Sequence, residues 1–395
     1  MRSLRKLVPL VLAAVLVVAG CSPAAAPAPA PATSVPAPKT EGAAAPKATE
    51  PAKAPSKDAE AMAKYETLVQ GAKKEGKIRI VGSQVVLRDA LKDSFGKKFG
   101  IEVEFSNETP AAMLARLKKE REAGQYTVDA VLTGATSLIL DMIPAGMLDR
   151  LDDVLILPEV TDTSKWLDGK LPWNDPEHRT LRFNKYAESY IMVNTTMVGK
   201  DEFKTYKDLL KPKWKGKIAA DDPTVPGAGQ TGALYLLVSF GEEFLKQLYL
   251  GQEVVFSNDR RQLGDWVARG RYPVLIWSDQ ASLLELQKNG LPVDVVTTSD
   301  AAAVSGGWGL GAMVNKAPNP NAAKLFMNWI SSKEGQNMLV QASGRPVTRL
   351  DADLTGVPER LMVRPGMKYL DSYDYDFVIN ERAKAIKTLG EIIKR

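Results

Sequence analysis

From residue 77 onward, short strand-like runs alternate with helical ones, and this alternation restricts the chain to an α/β architecture. KIRIVGS (77–83) reads as a strand. In VVLRDALKDSFGKKFG, Leu87, Leu91, Phe95 and Phe99 recur every four residues, the stripe of an amphipathic helix. IEVEF (101–105) alternates as a strand, Thr109 is placed to cap a helix that starts at Pro110, and VDAVLTG (128–134) is a third strand. Such an order implies a parallel sheet with helices on its faces. A helix over 58–74, stopped by Gly76, precedes the series. A second series starts at YIMVNTTMV (190–198) and runs through a short helix in TYKDLLKP, a strand in KGKIAAD and a long helix in GALYLLVSFGEEFLKQL. VVFSND, a helix through Trp266, and YPVLIW complete it. GGWGLGAMVN (306–315) reads as a connecting strand whose glycines admit close backbone approach. The helix opened by Asn319-Pro320 places Ala322, Leu325, Phe326, Trp329 and Ile330 on one buried face. No repeat of fixed period is present.

The N-terminus sets the compartment. Arg2, Arg5 and Lys6 precede an apolar run, Leu7 to Val18, that is too short to span a bilayer and has the form of an export signal. It ends Val18-Ala19-Gly20-Cys21, similar to the lipobox of bacterial lipoproteins, so residues 1–20 are expected to be removed and Cys21, the only cysteine, lipidated. No disulfide can then form within one mature chain. Residues 21–57 are dominated by Ala, Pro, Thr, Ser and Lys and cannot bury enough surface to offset their ordering entropy. They are expected to act as a tether, reaching about 100 Å at about 3 Å per residue where polyproline-like. The net charge of +5 includes the three signal-peptide cations, and no basic stripe points to nucleic acid. His178 is the only histidine, which argues against a histidine-based catalytic or metal centre.

In sheets of this kind the ligand sits beyond the carboxyl ends of the strands. Three loops qualify: Ser83 with Gln84, Asn107 with Thr109, and Thr133-Gly134 with Thr136. Each residue is equally suited to capping a helix, but three such loops at equivalent strand ends suggest a site. A fourth candidate is Gly227-Ala228-Gly229-Gln230-Thr231-Gly232, which fits G-x-G-x-x-G. As a dinucleotide fingerprint it is weak, because Asp221 to Pro226 intervene after the strand, and as a phosphate loop it lacks the Lys and Ser/Thr, having Ala233 and Leu234 instead. What remains is an anion-binding helix start, where Gly227 and Gly229 allow close approach, Gln230 and Thr231 add donors, and the dipole contributes about half a positive charge. A plain helix cap is the alternative.

Together these stretches resemble the extracellular solute-binding proteins of ABC importers, in the cluster that includes the ferric-iron-binding and organophosphate-binding receptors. The resemblance rests on the lipobox and tether, IEVEFSNETPAAMLARLKKE with VDAVLTG, VNTTMV, PKWKGKIAADDPTVPGAG, ARGRYPVLIW, and APNPNAAKLFMNWISSKEGQ with GRPV, and covers most of 77–347. It implies a two-lobed periplasmic-binding-protein fold of type II-like form, closing over a solute and presenting the closed form to a membrane permease. One lobe is expected over 58–188 plus 315–345, the other over 196–305 plus 350–395, with hinges near 189–195 and 308–314. Ferric-binding members hold iron with an adjacent tyrosine pair before the second hinge. Here LPVDVVTTSDAAAVSGGWG has no tyrosine, and Tyr373 and Tyr375 lie elsewhere, which leaves iron coordination of that kind unsupported. The cleft is expected to hold a small organic anion, a phosphate ester, phosphonate or carboxylate, using the loops above, Arg260 and Arg261 as cations, and Trp277 and Trp308 as aromatic covers. The arginines serve equally as an exposed helix start and the tryptophans as hinge or strand packing. No cofactor is expected, and the receptor is expected to be a monomer. A ferric receptor and a secreted hydrolase built on His178 are the alternatives.

Overall fold

The strands are β1 (Lys77–Gly82), β2 (Glu102–Asn107), β3 (Ala130–Thr133), β4 (Leu181–Arg182), β5 (Tyr186–Glu188), β6 (Ile191–Asn194), β7 (Ile218–Asp221), β8 (Val255–Ser257), β9 (Val274–Ile276), β10 (Val293–Val296), β11 (Ala302–Ser305), β12 (Leu310–Met313) and β13 (Tyr369–Asp371). A computed structural model describes residues 56–395 except 189–190, 226, 277–279, 301, 308, 365–368 and 395. The expected signal peptide, Cys21 and the tether as far as residue 55 lie outside the described residues, as do Trp277 and Trp308.

The first sheet has the order β2-β1-β3-β12-β4. Its first three strands are parallel, with Ile80 opposite Phe105 on one side and Ala130 on the other. β12 returns antiparallel between β3 and β4, so the sheet is mixed rather than purely parallel. One face carries the helices Lys57–Glu75 and Pro320–Ser331. Ser56 caps the first through its hydroxyl, and Gly76 ends it at φ 75. The Leu87, Leu91, Phe95 and Phe99 stripe is wholly buried, and Phe95 packs edge-on against Phe326 at 5.5 Å and against Trp329 at 5.3 Å. A four-residue repeat outruns the α-helical turn by about 40° per step, and the wider π turn at Lys92–Gly96 takes up that drift. The other face is covered by Met113, Leu117, Leu138, Ile139 and Met142.

The second sheet, β10-β6-β9-β7-β8, repeats the scheme: β7 pairs parallel with β8 and β9, and β6 is antiparallel to β9 and β10. The helix Ala228–Lys246 buries Leu234, Tyr235, Leu236 and Leu245 against one face. Leu263 and Val267 cover the other. Each sheet with its helices forms one lobe of a two-lobed α/β architecture.

A third sheet, β13-β11-β5, links them. β5 lies in the chain between β4 of the first sheet and β6 of the second, and β11 runs antiparallel to it on the way back to β12. The connecting backbone is therefore 186–188 with 302–305, ahead of the expected hinges; 310–313 is instead an interior strand of the first sheet, held on both edges by hydrogen bonds. The C-terminal region also departs from its expected place in one lobe. Ala352, Leu354 and Val357 pack on the first core, Val378 is buried in the opposite face of that lobe, and Ala385, Leu389 and Ile392 belong to the second core. The segment thus crosses between lobes, and β13 adds a parallel strand to the linking sheet.

Candidate functional site between the lobes

The carboxyl ends of β1 and β3 stand side by side in the parallel pairing, with Gly82 opposite Leu132, so the loops that follow them are neighbours. The Ser83 N–H donates to the Leu132 carbonyl at 3.1 Å. The Ser83 and Thr133 hydroxyls are both buried and have no hydrogen-bond partner among the described residues; Thr133 is only 1% exposed. An unpaired buried hydroxyl costs stability, and two at adjoining strand ends make this pair of loops the candidate place for a ligand. Gly134 leads into the helical turn at Ala135–Ser137, where the Ala135 N–H donates to Gly307 O at 2.7 Å. Thr136 and Gln84 are half-buried alongside.

Gly307 brings in the C-terminal segment. A Cβ on Gly307 would lie 2.1 Å from Cγ and Cδ1 of Tyr373, so the glycine is what allows that ring to lie on the backbone. The Thr231 hydroxyl, in the first turn of Ala228–Lys246, donates to the Tyr373 phenol oxygen. Burial pushes the Tyr373 pKa up, and the Glu188 carboxylate adds to the rise, so the phenol is protonated at neutral pH. Arg382 faces it; burial lowers the Arg382 pKa, and Tyr373 opposes that shift. Beneath, Arg182 donates to Asp371 at 2.5 Å, to Ser305 O at 3.1 Å and to Asn184 O at 3.2 Å, tying β4, β11 and β13 together.

The other residues expected at the site are placed differently. Thr109 accepts the Ala112 N–H at 3.3 Å, so its oxygen serves as the helix cap, and Asn107 is exposed at the edge of the sheet. Gly227 is exposed, and Gln230 is 7% exposed. A Cβ on Gly229 would meet Asp221 O at 2.5 Å, and the Gly229 N–H bonds the Asp221 carboxylate. This start of the helix therefore already holds an anionic group of the chain itself, which corrects the reading of the whole glycine cluster as an open anion site. Asp221 is buried, which raises its pKa, and Arg260 approaches it at 3.7 Å from an exposed position. Arg261 is exposed beside it, with its N–H donating to the cap residue Asp259 at 3.0 Å. His178 pairs with Asp152 at 2.6 Å and stacks on Trp173 at 4.5 Å, with no hydroxyl nucleophile bonded to it among the described residues. Tyr373 and Arg382 were not among the expected residues. Their one sequence trace is the Gly306-Gly307 pair, which shows that something presses on the chain there but not what.

Two mixed sheets joined by linking strands, with polar groups converging between them, define a two-lobed binding protein. A family model for bacterial extracellular solute-binding proteins matches residues 90–361. The chain belongs to that family, whose members bind solutes rather than transform them. Among solved structures, the Trichodesmium protein IdiA (FutA) in complex with iron and citrate is 22% identical with a TM-score of 0.62, covering 81% of this chain and all of that one. The periplasmic protein AfuA of Actinobacillus pleuropneumoniae with bound fructose-6-phosphate is 19% identical with a TM-score of 0.59, over 80% of this chain and 98% of that one. A ferric binding protein from Campylobacter jejuni matches at 19% identity and a TM-score of 0.59, over 80% of this chain and all of that one. An uncharacterised protein of Haemophilus influenzae is 29% identical over 147 residues, 34% of this chain and 39% of that relative's length. Among the described residues no helix is long and apolar enough to cross a membrane.

Proposed function

We propose that the chain is the receptor of an ABC importer, lipid-anchored at Cys21, that captures a small organic anion between its lobes and presents it to a membrane permease. The solute is a phosphate ester, phosphonate or carboxylate. The observation that carries this reading is the pair of buried, unpartnered hydroxyls at Ser83 and Thr133, beside the turn whose Ala135 N–H bonds Gly307, the glycine on which the Tyr373 ring lies. Donors without internal acceptors suit an acceptor-rich ligand. Movement about 186–188 and 302–305, as a monomer, would close the lobes on it.

Iron is a less fitting cargo for this cleft. Ferric ion favours several anionic oxygen donors, whereas the phenol of Tyr373 stands near two arginines, Arg182 and Arg382, whose charge repels a trivalent cation. Iron and fructose-6-phosphate both appear on relatives of this fold, so the fold alone decides little about the solute.

Titration of the purified protein with phosphate esters, phosphonates and carboxylates tests the proposal. A ligand at 100 times its Kd stabilises the folded state by about 2.7 kcal/mol, a shift of a few degrees in the thermal midpoint. No response to any of them, with an absorption band appearing on ferric citrate, would transfer the assignment to iron. Metabolic labelling with a fatty acid that persists in Cys21→Ser would remove the anchor from the proposal.

A further inference from the structure

We infer that the C-terminal segment supplies the charge that reads the solute, with Arg382 as the principal cation for its oxyanion and Tyr373 as the residue that positions this end of the site. The inference rests on the interlobe reading above and adds the charged contact to it.

The segment is held at several points along its length. β13 pairs with β11 through Ala302↔Tyr369, Ala303↔Leu370 and Val304↔Asp371, and Asp371 is clamped by the buried Arg182. Tyr373 follows two residues later, its ring on Gly307 and its phenol on Thr231. The Asn174 side-chain amide donates to the Tyr373 carbonyl at 3.3 Å, and the Tyr373 N–H donates to Asp371 at 3.2 Å. Val378 is then buried in the first lobe, and the helix Arg382–Ile392 packs along Ala228–Lys246 of the second. Arg382 is the first residue of that helix, where the chain passes from one lobe to the other, and its charge acts on the same phenol that Thr231 touches.

Arg382 differs from the structural arginines of this fold in how its nitrogens are satisfied. Arg182 has Asp371 and two backbone carbonyls. Arg349, 2% exposed, donates to Asp351, to Glu159 and to the carbonyls of Glu159 and Ser331. In Arg382, Nη1 is buried without an acceptor, and no carboxylate lies within ion-pair distance of the guanidinium among the described residues. A guanidinium nitrogen removed from water without an acceptor is a costly arrangement that an oxyanion relieves, and the planar fork of the half-buried group matches the two oxygens of a carboxylate or phosphoryl group. A purely structural role would call for the saturation seen at Arg182 and Arg349.

The test compares wild type, Arg382→Met and Arg382→Lys by calorimetry, using inorganic phosphate, a sugar phosphate, methylphosphonate and citrate as probes. The expected result is that one probe class binds wild type, that Arg382→Met weakens it at least about tenfold, and that Arg382→Lys recovers part of the loss. Phosphoryl and carboxylate sources separate by which arm responds. The ligand-free thermal midpoint of Arg382→Met is expected to stay level or rise, because a buried nitrogen without an acceptor is removed. A lowered ligand-free midpoint with unchanged affinity would overturn the inference while leaving the cleft intact. If the Met variant folds poorly, unchanged affinity in Arg382→Lys overturns it equally. Failure of every probe on wild type instead overturns the parent reading, and this inference with it.

Discussion

The Arg182 to Asp371 pair is a side-chain joint that, beside the β13 to β11 pairing, fixes the C-terminal segment to the linking sheet, and Asp371→Asn tests it directly. The Arg182 side chain is 7% exposed and that of Asp371 19%. Breaking a fully buried ion pair by removing one charge costs about 3–5 kcal/mol, because the other charge stays uncompensated. Here two carbonyl acceptors remain on Arg182 and Asp371 is partly wet, so the expected cost is about 2–3 kcal/mol. In urea unfolding this lowers the midpoint at unchanged slope. The double variant Arg182→Met with Asp371→Leu should recover most of the loss, since neither charge is then left alone. Solute affinity should fall as well in Asp371→Asn, because Tyr373 is two residues away and shares the Asp371 carboxylate through its N–H. A single-variant loss under about 0.5 kcal/mol, or a double variant equal to the sum of its singles, would refute this account of the joint.

Further outcomes follow from other parts of the molecule. Thr133→Val should leave the ligand-free protein equally or slightly more stable in thermal scans, since the hydroxyl it removes has no partner, yet weaken solute binding about tenfold by calorimetry. Gly307→Ala should cost about 1–3 kcal/mol and lower affinity, as the new methyl displaces the Tyr373 ring. Phe95→Ala, in the aromatic cluster with Phe326 and Trp329, should cost about 3–5 kcal/mol in urea unfolding. Asp208 has its pKa lowered to about 2, by Lys211 first and then the Thr205 N–H, so its contribution is present above the unfolded value of 3.8 and lost as pH falls through about 2. The stability gap between wild type and Asp208→Asn, roughly 1–2 kcal/mol, should therefore be constant near neutrality and close between about pH 4 and pH 2.

The elements with a strong period were legible from the residues. The four-residue stripe from Leu87 to Phe99, the Thr109-Pro110 helix start and the buried face of Pro320–Ser331 need only local chemistry, and the structure has each of them. The glycines of 306–311 also behave as expected, each pressed by Asn184, Tyr373 or Phe183. What local pattern does not carry is partnership across the chain. β12 is antiparallel because of where β11 returns it, which no property of GLGAMV reveals. At the site, Ser83 and Thr133 were visible as strand-end hydroxyls, but the glycine cluster looked open because Asp221 is not recognisable from spacing as its occupant. Tyr373 follows β13 and Arg382 opens the helix Arg382–Ile392, whose buried Ala385, Leu389 and Ile392 follow the helical period, but local pattern does not say what either residue meets. Their role depends on β13 joining the linking sheet, a contact with 302–304 made nearly 70 residues away along the chain.

Whether the cleft holds an anion is decided by native mass spectrometry of protein purified without unfolding. The expected result is an adduct of a small phosphoryl- or carboxylate-bearing solute that is released on denaturation, rebinds to the stripped protein and is depleted in Thr133→Val. A protein that carries no solute, and that none of the anions stabilises after stripping, would contradict the receptor reading.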